Sequence, residues 1–273
     1  MPLDLRALPE PAELHARFAA QRALHWADPL PTKAQIAAEF GPLATGQALS
    51  RLDAIGWMNA EATGEMLASA RPGSVMYQLD RRIKSPQSLT RKVKKYLGRS
   101  QRPPSIEDLQ RFTVIVPAHD ELVDLVKHVA SELRERGWQL NQVRNSYTEG
   151  SRYKGFHLDT QDPRGQRIEV QLHTTASIAV KEATTTLYEI ERDTRVSKTD
   201  RDGARAECVR LSAKLPTPQG LDELTDLGGC PVTIRGYGLG RTSTKHVGVE
   251  EPHVPNLRLC IERRRLTGKE KEL

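Results

Sequence analysis

The sequence has only three cysteines, Cys208, Cys230 and Cys260, in 273 residues. They are odd in number and far apart, which excludes a disulfide framework and the paired spacing of a thiolate zinc site. No stretch approaches the roughly 18 consecutive apolar residues of a membrane span, so no membrane partner is expected. The start "MPLDLRALPEPAELHARF" places acids and prolines where a secretory signal needs a basic start and an apolar run. A cytoplasmic protein is expected. There is no G-x-x-x-x-G-K, which excludes a Walker loop. Charge of one sign is also scarce: 41 basic residues face 35 acidic ones, leaving a formal net charge of +6. That balance permits phosphate-bearing partners without arguing for nucleic acid. Hydrophobic residues make up 37% and charged residues 28% of the chain, a composition that predicts one folded core with polar, looser ends.

What is present reads in blocks. The first seventy or so residues carry helical spacing and no visible chemistry, consistent with two or three helices on a core. "RRIKSPQSLTRKVKKYLGR" follows. Ser85 suits a helix cap, Pro86 the first position and Gly98 the end, with a thin apolar stripe at Leu89, Val93, Tyr96 and Leu97. Phe112 to Val116 is a short β-branched run stopped by Pro117, a buried strand. "DELVDLVKHVASELRERG" is the clearest helix, with Leu122, Leu125, Val126, Val129 and Leu133 on one face. "WQLNQVRN" reads as a strand. "RYKGFHLDTQDPRGQRIEVQLHT" reads as a hairpin turning at "DPRG". "ASIAVKEATTTLYEIERD" closes the unit as a helix. The order β-α-β-β-β-α predicts an α+β domain with a mixed β-sheet flanked by helices. Past Leu215 the Gly, Pro, Thr and Ser content predicts loose order. The expected organisation is a helical segment over 1–72, a central domain over 73–195 and a loosely ordered extension over 196–273.

Three places hold candidate chemistry. In the hairpin, Ile168, Val170 and Leu172 alternate with Glu169, Gln171 and His173, so the polar set shares one face. Tyr153, His157 and Asp159 are expected to join it. A solvent-facing sheet surface with cross-strand polar pairs explains the same pattern. In "RRIKSPQSLTRK", Arg82, Lys84, Ser88 and Lys92 form a basic cluster running into a helix N-terminus, where phosphates bind well. A solvated basic helix face explains it too. Asp108 stands before a buried strand and, with Glu169, offers the oxygen ligands Mg²⁺ requires. Ser105-Ile106-Glu107-Asp108 also fits a helix-capping signature.

Taken in order, "RIKSPQSLTRK", "EDLQRFTVIVP", "YKGFHLDTQD" and "RIEVQLHT" resemble the RelA/SpoT nucleotide pyrophosphokinase domain, over roughly Tyr77 to Asp193. The resemblance implies a synthetase-like, nucleotidyltransferase-type sheet. It implies transfer of the β,γ-pyrophosphate of ATP to the 3′-hydroxyl of a purine nucleotide, with Mg²⁺ as cofactor. It assigns ATP phosphates to Arg82, Lys84, Ser88 and Lys92, and magnesium to Asp108 and Glu169. It assigns catalysis to Glu169 and Gln171, and the acceptor to Tyr153, Lys154, His157 and His173.

The chain also leaves the family pattern. "YKGFH" stands where the family has "Y-R-S-L-H", so Gly155 removes a side chain beside the acceptor. His173 replaces an arginine. The arginine usual five residues after the magnesium-binding Asp is Thr113, while Arg111 lies three after it. "YKGFH", "QLHT" and "LYEIER" resemble a branch of small synthetases and polymorphic toxins, in which "LYE" is often preceded by a histidine. Thr186 stands there here. Two further expectations follow: toxin-like pyrophosphorylation of the 3′ end of tRNA, with a cognate antitoxin or immunity protein as partner, or an inactive relative that binds nucleotide or RNA. The only "HD", His119-Asp120, reads as a helix cap, and no hydrolase activity is expected.

Overall fold

The computed structural model describes residues 4–98 and 106–237. Ser105 with its expected cap, Cys260 and the extension beyond residue 237 lie outside the described residues. The chain divides into two compact units. Of the described residues, the first comprises 4–98, 106–144, 156–175 and 218–233, and the second 145–155, 176–217 and 234–237.

In the first unit the N-terminal part forms α1 (Pro11–Gln21), α2 (Lys33–Phe40), α3 (Pro42–Ile55) and α4 (Asn59–Ala68), followed by α5 (Pro86–Leu97). Four helices thus stand where the periodicity suggested two or three. Short helices joined by tight turns blur into one another when read by spacing alone. Each start has a local cause. Proline opens α1, α3 and α5, where its missing N–H costs nothing. Thr32 and Gln35 cap each other's backbone at α2. Ser85 accepts from the Ser88 N–H at 3.3 Å to begin α5. Leu14, Phe18, Leu49, Leu52, Leu89 and Val93 pack into one cluster with Trp26 and Ile83. Tyr96 stays at the surface.

The sheet contains β1 (Val75–Met76), β2 (Gln110–Val116), β3 (Gln139–Asn145), β4 (Phe156–Gln161), β5 (Arg167–Thr174), β6 (Asp226–Leu227) and β7 (Cys230–Ile234), in the order β1-β2-β5-β4-β3-β7-β6. β2 and β5 run parallel, while β4 and β5 run antiparallel. This is the mixed α+β architecture expected. α6 (Leu122–Glu135) packs on β5 and buries Leu122, Leu125, Val126, Val129 and Leu133. It ends at Gly137, whose φ of +82° only glycine adopts without strain. The β4–β5 turn is set by Asp162. Its Oδ1 accepts the N–H groups of Arg164 at 3.0 Å and Gln166 at 2.8 Å, and Gly165 takes a φ of +87°.

In the second unit, α7 (Thr175–Arg192) and α8 (Lys198–Ala213) pack through Leu187, Ile190, Ala204 and Cys208. Ser197 caps α8 through the Asp200 N–H at 3.1 Å. The segment read as loosely ordered from residue 196 therefore contains a helix, and then β6 and β7. Its apolar stripe is only Ala204 and Cys208 with Leu211 beside them. Pairs such as Lys198–Asp202 and Arg210–Glu207 cover the rest. Hydrophobic periodicity detects such a charge-laced helix poorly. Among the described residues no helix is long and apolar enough to cross a membrane.

Candidate active site

A cleft of about 300 Å³ opens in the first unit, lined among others by Lys84, Ser85, Ser88, Asp108 and Arg111. The N-terminus of α5 points its partial positive charge here. Lys84 Nζ lies 2.9 Å from Asp108 Oδ2, and Lys92 Nζ lies 2.5 Å from Asp108 Oδ1. Burial pushes the Asp108 carboxyl up, but the two ammonium groups outweigh it and hold it below the usual carboxylate range. Burial lowers Lys84 in turn, with Asp108 opposing. The structure therefore brings together Lys84, Ser88, Lys92 and Asp108.

Arg82 behaves differently from its sequence assignment. Its side chain is 1% exposed. It donates to the carbonyls of Phe18 at 3.1 Å, Arg22 at 3.0 Å and Ala23 at 2.7 Å, and to Asn59 Oδ1 at 3.2 Å. These carbonyls lie at and just past the C-terminal end of α1. The guanidinium expected on ATP phosphates is hydrogen-bonded to the scaffold, although Arg82 also lines the cleft.

The second cluster is the polar face of the sheet. In register, Arg111 sits opposite Glu169 and Thr113 opposite Gln171 on β2 and β5. His157 sits opposite Gln171 and Asp159 opposite Glu169 on β4 and β5. Thr113, His157, Asp159, Glu169, Gln171 and His173 are all buried. A solvated sheet surface is thereby ruled out for these positions. His157 Nδ1 lies 2.9 Å from Glu169 Oε1. An ionised carboxylate only accepts, so Nδ1 carries the proton. Gln171 Nε2 donates to Glu169 Oε2 at 3.0 Å. Arg144 Nη2 lies 2.6 Å from Asp159 Oδ1 and 3.6 Å from Glu169 Oε1. Burial pushes Glu169 up, yet the His157 hydrogen bond and charge, with Arg111 and Arg144, hold it far below the usual range. Burial raises Asp159, with Arg144 opposing and Glu169 assisting.

Arg111, Arg144 and Asp159 were not assigned a role from sequence. Alternation along β4 already put Asp159 on this face. Arg144 carried no comparable signal, because its partners lie on other strands.

Among the described residues no group of three or more His, Cys, Asp or Glu side chains is placed to hold a metal. Mg²⁺ commonly takes only one or two carboxylates and draws its other ligands from water and substrate phosphate. Asp108 and Glu169 are both held ionised at the N-terminal end of the paired strands β2 and β5, so their chemistry fits that ion.

Tyr153 and Lys154 precede β4 and belong to the second unit. The Tyr153 ring meets Tyr237 edge-on at 5.7 Å, and Lys154 Nζ donates to the Leu215 carbonyl at 2.6 Å. Thr186 is an exposed position on α7. Asp120 does not cap α6. It accepts the Gln219 N–H at 3.1 Å, while His119 Nδ1 lies 3.3 Å from Thr174 Oγ1.

Residues 81–192 match the family model described as a region found in RelA / SpoT proteins. The chain carries a RelA/SpoT region. That region contains Lys84, Asp108, Glu169 and the hairpin, whereas α1 to α4 and α8 lie outside it. No curated protein matches the chain. Among solved structures, the small alarmone synthetase 1 from Bacillus subtilis bound to its product pppGpp is 15% identical, with a TM-score of 0.40 over 59% of this chain and 84% of that one. A GTP pyrophosphokinase family protein from Streptococcus pneumoniae is 17% identical, with a TM-score of 0.41 over 63% and 88%. The complex between the Type VI effector Tas1 and its immunity protein is 22% identical, with a TM-score of 0.35 over 61% and 94%.

Proposed function

We propose that the protein is an ATP-dependent pyrophosphokinase that modifies the 3′-hydroxyl of a purine nucleotide. The observation that carries this reading is Glu169. It is a buried carboxylate kept ionised, oriented by His157 and Gln171, and in register with a residue that lines the Lys84–Asp108 cleft. The RelA/SpoT region supports it.

The chemistry follows from the groups present. ATP phosphates enter the cleft against Lys84, Lys92, Ser88 and the N-terminus of α5. The acceptor 3′-oxygen forms a bond to the β-phosphorus. The bond from that phosphorus to the α–β bridging oxygen breaks, and AMP leaves with the electron pair. Glu169 orients the hydroxyl. A carboxylate held so far below its usual range is a weak proton acceptor, so it takes the proton late, as the O–P bond forms and the hydroxyl becomes acidic. His157 and Gln171 keep Glu169 in one orientation through this step. Asp108 and Glu169 would hold Mg²⁺, which supplies charge neutralisation on the phosphate oxygens.

The test is product identification from labelled ATP with GDP, GTP, ADP, AMP and bulk tRNA in parallel. A labelled 3′-pyrophosphorylated purine nucleotide is expected. Label confined to tRNA would move the acceptor to a nucleic acid, and no labelled product with any acceptor would refute the reading. Glu169→Gln should lower kcat by about 10²–10⁴-fold, the usual contribution of a positioned general base.

A further inference from the structure

Two cations that line the cleft make no side-chain hydrogen bond or ion pair with a described residue: Arg81, exposed on a turn, and Arg111, on the sheet beside Glu169. Lys84 and Lys92 are both bound to Asp108. Arg82 is turned into the scaffold, and Arg144 is held by Asp159. Arg111 lines the cleft, and its guanidinium makes no hydrogen bond or ion pair with any described residue. Its backbone is fixed all the same. Its N–H donates to the Arg82 carbonyl at 2.7 Å, and its Cα pairs in register with Glu169. Its charge reaches both clusters, depressing Lys84 on one side and Glu169 on the other.

A half-buried guanidinium with no hydrogen-bonded partner, on a central strand, bears the cost of partial desolvation with only the through-space charge of Glu169 to offset it. Its planar fork of donors matches phosphate oxygens. We propose that Arg111 is the residue that grips the transferred pyrophosphoryl group, spanning the phosphate cleft and the carboxylate that meets the acceptor. This rests on the pyrophosphokinase reading and adds a residue that the motif assignments do not contain. Glu169 itself is not among the cleft-lining residues, so Arg111 is the side chain the two clusters share. The group leaves ATP and joins the acceptor while its equatorial oxygens stay near Arg111. Binding strengthens as charge builds on those oxygens. Thr113, one pair further along the same strand face, has no charge to offer there.

The experiment uses the full chain with three variants: Arg111→Met, Arg111→Lys, and Arg91→Ala as an exposed cation on α5. Two readouts are taken after thermal melts show that each variant is folded. In turnover, Arg111→Met should lower kcat by about 10²–10³-fold, as for loss of one preorganised donor, with Arg111→Lys in between. The KM for ATP should rise only a few-fold, because Lys84, Lys92 and α5 remain. In calorimetric titration with inorganic pyrophosphate, Arg111→Met should bind at least tenfold more weakly than wild type, and Arg91→Ala should bind as wild type. If Arg111→Met turns over and binds pyrophosphate like wild type, the inference fails while the pyrophosphokinase reading stands. If wild type makes no product yet loses pyrophosphate affinity on Arg111→Met, Arg111 remains an anion ligand and the pyrophosphokinase reading fails. If Arg91→Ala weakens pyrophosphate as much as Arg111→Met, the effect is general surface charge and the inference is overturned.

Discussion

Arg82 shows how one residue can carry a motif and still serve the scaffold. It begins the R-x-K-S segment, and sequence order alone assigns its charge to phosphate. Its guanidinium instead closes the end of α1 with hydrogen bonds to the carbonyls of Phe18, Arg22 and Ala23. Arg82→Met would take this donor from the Arg22 and Ala23 carbonyls, while the Phe18 carbonyl keeps the Arg22 N–H. A lost buried hydrogen bond costs about 1–3 kcal/mol and a part-buried one less, so a loss of about 2–3 kcal/mol is expected. Urea unfolding measures it. A phosphate ligand would behave in the opposite way, with stability retained and ATP affinity lost. The same reasoning separates Lys84 from Arg82 although they stand two positions apart. Lys84 meets Asp108 at the cleft, and Lys84→Met should raise the KM for ATP with a smaller effect on stability, since Asp108 keeps its second partner, Lys92.

At the scale of elements, legibility tracked the length and strength of each pattern. β2, α6, β3 and the β4–β5 hairpin follow from β-branched runs, a full apolar helix face and the "DPRG" turn. The polar face of β5 was visible by alternation. Its burial was not, because alternation says which side chains share a face and nothing about what that face meets. Arg144 joins the face only through strand pairing, which a single sequence does not display. α8 escaped notice because its buried stripe is so narrow. That stripe yields a pH prediction. Cys208 is 1% exposed between α7 and α8, and burial, aided by Glu191, pushes its thiol up to about 11. The fold therefore favours the neutral thiol. An unfolded cysteine loses its proton near 8.5. Between that value and about 11 the unfolded chain binds fewer protons than the native one. Stability is thus full below roughly pH 8.5 and falls as pH rises, by about 3 kcal/mol in total. Urea midpoints at pH 8, 9.5 and 10.5 should show the decline, and Cys208→Ala should flatten it from a lower starting stability.

For the whole molecule, the RelA/SpoT match marks a region of chemistry and not a region that folds by itself. It begins at residue 81 and ends at residue 192. Its first segment leans on upstream residues as well as on β2. Arg82 needs the carbonyls of α1 and Asn59, and the Ile83 carbonyl accepts the Trp26 indole N–H at 2.9 Å. Leu89 and Val93 of α5 are buried against Leu14, Phe18, Leu49 and Leu52. The β4–β5 turn is tied to α4, where Arg164 Nη1 meets Glu61 at 2.6 Å and Arg164 Nη2 meets Glu65 at 2.9 Å. Downstream, Leu187 and Ile190 of α7 lose Ala204 and Cys208 if α8 is removed. A fragment of residues 81–192 would therefore expose the apolar faces of α5 and α7 together. It would also bury an arginine with no acceptor, or expose the segment that holds it. A core reduced in this way is too small to offset the conformational entropy of folding. We expect the fragment to show no cooperative thermal transition by circular dichroism, while residues 4–237 melt cooperatively. A cooperative transition in the short fragment would show that the helices outside the matched region are appendages to an independent domain.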